Sequence, residues 1–536
     1  MTDTMIDKIT AYRSAQPSGR DGFPQLLRAE WTKFRSVRGW LIAAAVAALL
    51  MVLVGILTGV NSHSTYDSTP DNPNGIVGHP YVPIGPDGEA VTDQFYFVHQ
   101  PLDGDGTITV RVTSLTGASH AEPVQVGTAD QTPEMTTDGV QPWTKAGIIV
   151  KANTSQGSEY AAIMVTGTHG VRMQYNYTGD IAGPAGTVST TSPRWLRLTR
   201  TGGSTVTGYA STDGTTWTTV GAVHLSGLPE TVAAGMFVAS PDHQDTSSQH
   251  LGGGTGTGGP SIAAARFDTI DLQGRYPNDA WTGGNVGDSA EQLGGVGFHA
   301  SGGTFTVTGS GDIAPDAGQS GNSVESTLVG AFATLTVMIV LGVLFVSTEY
   351  RRGLIRTSLT VSPRRGRVLA AKAIIIGAVT FVTGLIGAVI TIPISTHLLR
   401  VNGNFINPIA GLTEVRVVTG TAALLAVAAV LAVAVGTILR RSAAAVAAVI
   451  VIVVLPYMLA TAAVLSSGVS QWLLRITPAA AFAVQQSIPA YHQVDRAYTP
   501  LNGFYPLAPW VGFAVLCAWT AVALGVASYL LRRRDA

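Results

Sequence analysis

Trp40-Leu-Ile-Ala-Ala-Ala-Val-Ala-Ala-Leu-Leu-Met-Val-Leu-Val-Gly-Ile-Leu-Thr-Gly-Val60 carries no charged side chain from end to end. A helix rising 1.5 Å per residue needs about 20 such residues to cross a bilayer's hydrocarbon core. Five more apolar blocks reach that length: Leu328–Ser347, Val368–Ile394, Val417–Leu439, Ala443–Leu465 and Trp510–Leu531. Buried helices of a large soluble protein are the alternative for any one block, and a poor one for six together. Charged residues are 12% of the chain, about half of the roughly 25% usual in globular proteins. The first block follows 39 residues of mixed charge and ends in Val60-Asn61-Ser62-His63. It therefore reads as a retained anchor, since a cleaved signal has a short basic leader and a small-residue cleavage site.

Working outward, lysine and arginine set the expected orientation. With the N-terminus inside, the inner segments hold 19 and the two short outer loops hold 4, at Arg400, Arg416, Arg475 and Arg496. That bias puts both termini in the cytoplasm and residues 61–327 outside. The expected organisation is a cytoplasmic N-terminus with an amphipathic helix (1–39), a first span (40–60), an extracellular region (61–327), and spans two to six (328–536) with an inside loop at 348–367. The outer region carries 25 Asp and Glu against nine Lys and Arg. An acidic field of this kind disfavours nucleic acid as a partner. Cys517 lies in the last block, so the outer region has no disulfide and depends on a packed core.

From Gln94 the outer region alternates in short runs, among them Thr107–Thr113, Gly147–Ala152, Tyr160–Thr166, Val171–Tyr177, Trp195–Thr199, Thr205–Ala210, Trp217–His224, Val232–Ala239 and Ala264–Leu272. In Val171–Tyr177 the apolar residues alternate with Arg172, Gln174 and Asn176, which predicts a sheet with one wet face. Asp213-Gly214 between two runs is a hairpin signal. The tail Trp281–Ile313 alternates again at Thr304–Thr308. The expected class is a multi-domain protein: a six-span α-helical bundle plus an all-β sandwich or jelly roll inserted between the first two spans. Asp242-His243-Gln244-Asp245 has metal-ligating side chains but sits before a Ser- and Gly-rich stretch, where a solvated loop is the better reading. Gly252–Gly259 lacks the Gly-Lys-Ser/Thr of a phosphate loop.

The runs Pro142-Trp143-Thr-Lys-Ala-Gly-Ile-Ile-Val-Lys151, Arg194-Trp195-Leu-Arg-Leu, Tyr209–Trp217 and Gly235–Ser240 resemble the concanavalin-like lectin/glucanase sandwiches, over a core of about residues 94–273. The resemblance implies carbohydrate as a ligand, with Trp143, Tyr175, Tyr177, Trp195 and Trp217 as candidate stacking rings; core packing is the alternative for each. No pair of carboxylates on one strand supports glycoside hydrolysis.

None of the six blocks contains Asp or Glu, which disfavours an ion-coupled carrier. No nucleotide-binding motif occurs either, so the energy for transport is expected from another polypeptide. Before the first span, Leu26–Arg38 places Leu27, Trp31 and Phe34 on one helical face among bases, the pattern of an interfacial helix with Trp31 at headgroup level. After the second comes Glu349-Tyr-Arg351-Arg352-Gly353-Leu-Ile-Arg356, then Pro363-Arg364-Arg365. Together these resemble the permease subunits of type-2 ABC exporters. The resemblance implies an elbow helix around Trp31, Lys33, Phe34 and Arg35, and an inside loop in which Glu349, Arg351, Arg352, Gly353 and Arg356 couple to an ATPase. Plain positive-inside anchoring is the alternative for these arginines. It further implies that Trp472–Tyr491 forms short helices dipping back toward the exit, and a surface loop is the alternative.

The expectation is a multi-pass plasma-membrane permease subunit of an ATP-driven exporter for an amphipathic or lipid-like cargo, not itself an enzyme. No cofactor is expected in this chain, because ATP and magnesium would be held by the ATPase partner. The other expected partners are a second permease copy, as homodimer or heterodimer, membrane lipid, and cell-wall glycan for the outer domain. A membrane-anchored glycan-binding or sensor protein is the competing reading.

Overall fold

The computed structural model describes residues 22–62, 82–120, 135–247, 255–277, 280–287, 295–351, 365–462, 465–494 and 498–533. Helix α1 (Phe23–Ser36) has Pro24 in its first turn, where a missing N–H costs nothing. Only Val37, extended at φ −95° and ψ 96°, separates it from α2 (Arg38–Asn61), so the two helices meet at a corner.

The β part opens with β1 (Val91–Asp93) and β2 (Phe95–His120), followed by β3 (Met135–Asp138), β4 (Lys145–Lys151), β5 (Tyr160–Thr166), β6 (Val171–Tyr175) and β7 (Gly179–Ala182). Strands β8 (Arg194–Thr201), β9 (Thr205–Ser211), β10 (Thr218–His224) and β11 (Thr231–Ala239) come next, then the pair β12 (His243–Ser247) and β13 (Thr255–Gly259). The last group is β14 (Ser261–Arg275), β15 (Thr282–Val286), β16 (Gly297–Ser301), β17 (Thr304–Gly309) and β18 (Ile313–Pro315).

The main sheet runs β10-β9-β8-β2-β11-β4-β5-β6-β7, every pairing antiparallel. Strand β2 joins the two halves of the path. Its first half pairs with β11 and its second half with β8 and β14. The sheet thereby folds over, and β4 and β5 face β8 and β9 across one apolar core built from Ile148, Ile163, Met173, Leu198 and their neighbours. The β9–β10 hairpin turns on Gly214 at φ +76°. Asp213 accepts the backbone N–H groups of Thr216 and Thr215, which hold its carboxylate well below the ordinary range.

The expectation of one wet face does not hold for the central strands. Every residue of β4 and β5 is buried, because on their other side Ile149, Tyr160 and Met164 belong to a second apolar cluster with Phe95, Phe97 and Phe237. Chain segments flanking the domain, paired as β1 and β18, cover that side. Two buried ion pairs fasten the cover: Lys151 Nζ to Asp93 Oδ2 at 2.8 Å, and Lys145 Nζ to Asp312 Oδ1 at 2.6 Å. The hydroxyl of Tyr177 joins the first at 2.7 Å from the same Asp93 oxygen.

The helical part continues with α3 (Ala331–Arg351), α4 (Arg365–Val401), α5 (Gly411–Leu439), α6 (Ser442–Thr461), α7 (Ser467–Ile476) and α8 (Pro509–Arg533). Among the described residues six helices, all of these but α1 and α7, are long and apolar enough to cross a membrane. Helix α5 is the most enclosed, while α2 and α8 turn rows such as Ile42, Leu49 and Leu57, or Trp510, Val522 and Tyr529, outward. Small residues permit that close packing: a Cβ on Gly384 would stand 3.1 Å from the backbone of Ala422. Helix α3 continues past Ser347 to Arg351, and α4 starts at Arg365. Residues 348–351 and 365–367 are thus helical ends and not loop. Between α7 and α8 an eight-residue 3-10 turn, Pro478–Gln485, is buried throughout, so this stretch is not a surface loop.

Candidate functional site

The helical ends bordering residues 352–364 gather four charges. Glu30 and Lys33 lie one turn apart on α1, Glu349 lies in the last turn of α3, and Lys372 stands in the second turn of α4. Lys372 Nζ is 2.7 Å from Glu349 Oε1 and 2.8 Å from Glu30 Oε2. Lys33 Nζ reaches Glu30 Oε1 at 2.9 Å and Glu349 Oε1 at 3.2 Å. Glu30 is 1% exposed, Lys372 2% and Glu349 7%.

Two cations and two anions balance within the cluster, which is what allows charges to be this deep. Burial by itself would lower the Lys33 ammonium. The hydrogen bond and charge of Glu30, joined by those of Glu349, outweigh it and hold the group above its ordinary value.

Aromatic packing fixes the cluster's walls. Phe34, next to Lys33 and four residues after Glu30, is fully buried. Its ring stacks on Trp31 and Trp40 with centroids 6.2 and 5.9 Å away and meets Phe345 at 6.2 Å. Phe345 precedes Glu349 by one helical turn, and Lys372 Nζ lies 4.9 Å from its centroid. Trp31 is 44% exposed, and Arg28 and Arg35 on the same outer side are exposed as well. Only part of the apolar face of α1 therefore turns outward, since Phe34 packs inside and Lys33 joins the charges. On neighbouring helix ends, Arg365 donates to the Leu531 carbonyl at 2.5 Å and Arg440 covers the Tyr350 ring at 5.1 Å.

Of the expected coupling residues, Glu349 is in the cluster and Arg351 is exposed at the last position of α3. Arg352, Gly353 and Arg356 lie outside the described residues. Glu30 and Lys372 join the cluster from outside the expected coupling set. The available signal was Lys372 itself, an ionisable side chain inside an apolar block, which is costly unless it has a role or a partner.

At the other end of the bundle Phe332, Tyr457 and Phe482 touch one another, with centroids 4.7, 4.8 and 4.4 Å apart. They come from α3, α6 and the buried 3-10 turn. Gly512 lets α8 close on that turn: a Cβ there would stand 2.2 Å from the Ala480 carbonyl oxygen.

The five candidate stacking rings are engaged within the β domain. Trp143 is buried and stacks on His169 at 3.9 Å, with Arg172 over it. Tyr177 is fully buried on Asp93. These two lack the open face that a sugar ring needs. Tyr175 packs over Gly179, Trp195 under Gly214, and Trp217 carries the Arg197 guanidinium 3.8 Å above its ring. His243 and Asp245 lie on β12, and among the described residues no three His, Cys, Asp or Glu side chains come together as a metal set.

A family model described as ABC-2 family transporter protein matches residues 155–536, leaving α1, α2 and the first β strands outside the match. No curated protein matches the chain in sequence. Among solved structures, a functionally unknown protein from Saccharomyces cerevisiae is 15% identical, covering 34% of this chain and 76% of its own, with a TM-score of 0.19. Scytalido-glutamic peptidase with a transition state analog inhibitor is 10% identical, covering 41% and 98%, with a TM-score of 0.25. Likenesses of that size leave the β domain described by its own strand order.

Proposed function

The chain belongs to the ABC-2 family transporter proteins, and from that premise we propose that it is the permease subunit of an ATP-driven exporter, with its β domain outside the cell. The family supplies the membrane part, and the ATPase is a separate subunit. ATP and magnesium bind that partner. Two copies, identical or related, enclose the path of an amphipathic or lipid-like cargo.

The observation that carries this reading is the ion cluster. It ties the elbow helix α1 to both helices that border residues 352–364, the segment expected to meet the ATPase. A push on that segment moves α3 and α4 with α1 attached, because parting the cluster would strand buried charge. Glu349 and Arg351, followed by Arg352, Gly353 and Arg356, form the contact and its lever. The aromatic contact of Phe332, Tyr457 and Phe482 is the outer closure that the lever opens. The excess of lysine and arginine on inner segments supports the orientation, and the exposed Trp31 and Arg35 side of α1 suits lipid headgroups.

The test is ATP turnover of the assembled transporter in nanodiscs. Glu349→Gln with Arg356→Ala should leave the ATPase bound but lower cargo-stimulated turnover at least several-fold. Turnover equal to wild type in an intact complex removes the coupling role.

A further inference from the structure

The hairpin joining β6 to β7 turns on two successive non-glycine residues at positive φ, Asn176 at 42° and Tyr177 at 61°. Asparagine tolerates that region, but the second place of such a turn ordinarily goes to glycine. The Cβ of a tyrosine is disfavoured there, and such outliers persist only where the surroundings hold them. The β domain does hold this one. The Tyr177 hydroxyl donates to Asp93 Oδ2 at 2.7 Å, and its ring meets the Tyr160 ring edge-on at 4.9 Å. Asn176 Oδ1 accepts the Tyr160 N–H at 3.2 Å, and Asn176 Nδ2 donates to Glu159 Oε1 at 3.2 Å.

The turn so held presents two backbone carbonyls, and the helical part uses both. Gln493 Nε2 donates to the Tyr177 oxygen at 3.2 Å and to the Thr178 oxygen at 3.1 Å. A primary amide nitrogen carries two hydrogens, one for each carbonyl. Gln493 is 4% exposed, so solvent does not compete for these bonds. Tyr491 and Val494 on either side pack with Ala314 and Ala317 at the end of the β domain. The same segment leads back to the buried 3-10 turn that carries Phe482. Gln485 Nε2 donates to Thr421 Oγ1 at 3.1 Å, and Arg416 donates to the Gln486 carbonyl at 2.6 Å, both partners lying on α5. Gln486 Nε2 in turn donates to the Ile488 carbonyl at 2.8 Å. The chain from the 3-10 turn to Gln493 is thus bonded at both ends and between them.

We propose that the Tyr177 turn is a latch: the β domain grips the segment after the 3-10 turn through Gln493, and the contact of Phe332, Tyr457 and Phe482 opens only when that amide lets go. The inference rests on the reading of that contact as the outer closure of an exporter. It accounts for a tyrosine where glycine fits better, since the hydroxyl on Asp93 fixes the carbonyl pair at the place the amide needs.

The experiment follows hydrogen exchange of the full chain in nanodiscs, without an ATPase. Gln493→Leu keeps the bulk and loses both donors, while Gln493→Glu keeps the shape and sets a carboxylate against the carbonyls. Both should speed exchange over residues 478–486 several-fold and leave β4 and β5 as in wild type. Should either variant fail to assemble, Gln493→Asn, one methylene shorter, takes its place. Exchange over residues 478–486 equal to wild type overturns the latch. So does faster exchange throughout β4 and β5, since Gln493 would then support the β domain itself and not the closure. With the ATPase bound, the same variants should raise cargo-free ATP turnover several-fold. Faster exchange with turnover unmoved upholds the latch and counts instead against the coupling of that closure to ATP.

Discussion

Lys372 donates to Glu349 at 2.7 Å, and this bond joins the two helices that border residues 352–364. Both side chains are almost wholly buried, so the bond is protected from water.

Lys372→Met leaves Glu30 and Glu349 with only the half-exposed Lys33 between them. Removing one partner of a buried pair costs about 3–5 kcal/mol. A clear drop in Tm of the purified chain is expected, and Lys372→Met combined with Glu30→Gln should recover part of it. Calorimetry or scanning fluorimetry of the three variants checks this, and equal Tm values would show that the charges contribute little.

The raised Lys33 ammonium gives the elbow contact a pH dependence. A group whose folded value lies above its unfolded one stabilises fully below the unfolded value, 10.5 here, and loses that contribution as pH rises through the folded value. Docking of α1 should therefore be insensitive to pH through the neutral range and weaken above the ordinary lysine range. Tryptophan emission from Trp31 and Trp40 in wild type against Lys33→Met reads this, with the alkaline change reduced in the variant.

Gly512→Val places carbon where the Ala480 carbonyl now stands. The 3-10 turn must then move, at about 1–3 kcal/mol or more for overpacking. Faster hydrogen exchange over residues 478–486 is the expected result, with Gly525→Val, where a Cβ meets nothing within 4 Å, as the silent control.

Lys151→Met strands Asp93 beneath the β-domain cover, while Lys151→Met with Asp93→Asn removes both charges. Burial lowers the Lys151 ammonium against the pull of Asp93, so this pair is desolvated. The single variant should lose about 3 kcal/mol or more and the double less. Protease resistance of the β domain in the full chain distinguishes them.

Much of the β domain was legible in advance because strand periodicity is local. Tyr160–Thr166 and Thr205–Ala210 agree with β5 and β9 to within one residue. The run Val171–Tyr177 overreaches β6, since Asn176 and Tyr177 turn at positive φ, 42° and 61°. That turn buries Tyr177 on Asp93, a partner 84 residues away.

The amino-acid order alone determined which segments avoid water, since the length and apolarity of a run set its solvent, and it marked the basic segments between them and the alternation of the strands. Only the tertiary structure decided which charges meet. Glu30, Lys33, Glu349 and Lys372 come from three helices, and nothing local to α1 specifies an acid whose partner is 342 residues away. The second face of β4 and β5 was likewise out of reach of pattern reading, because it is covered by segments that become neighbours only on folding.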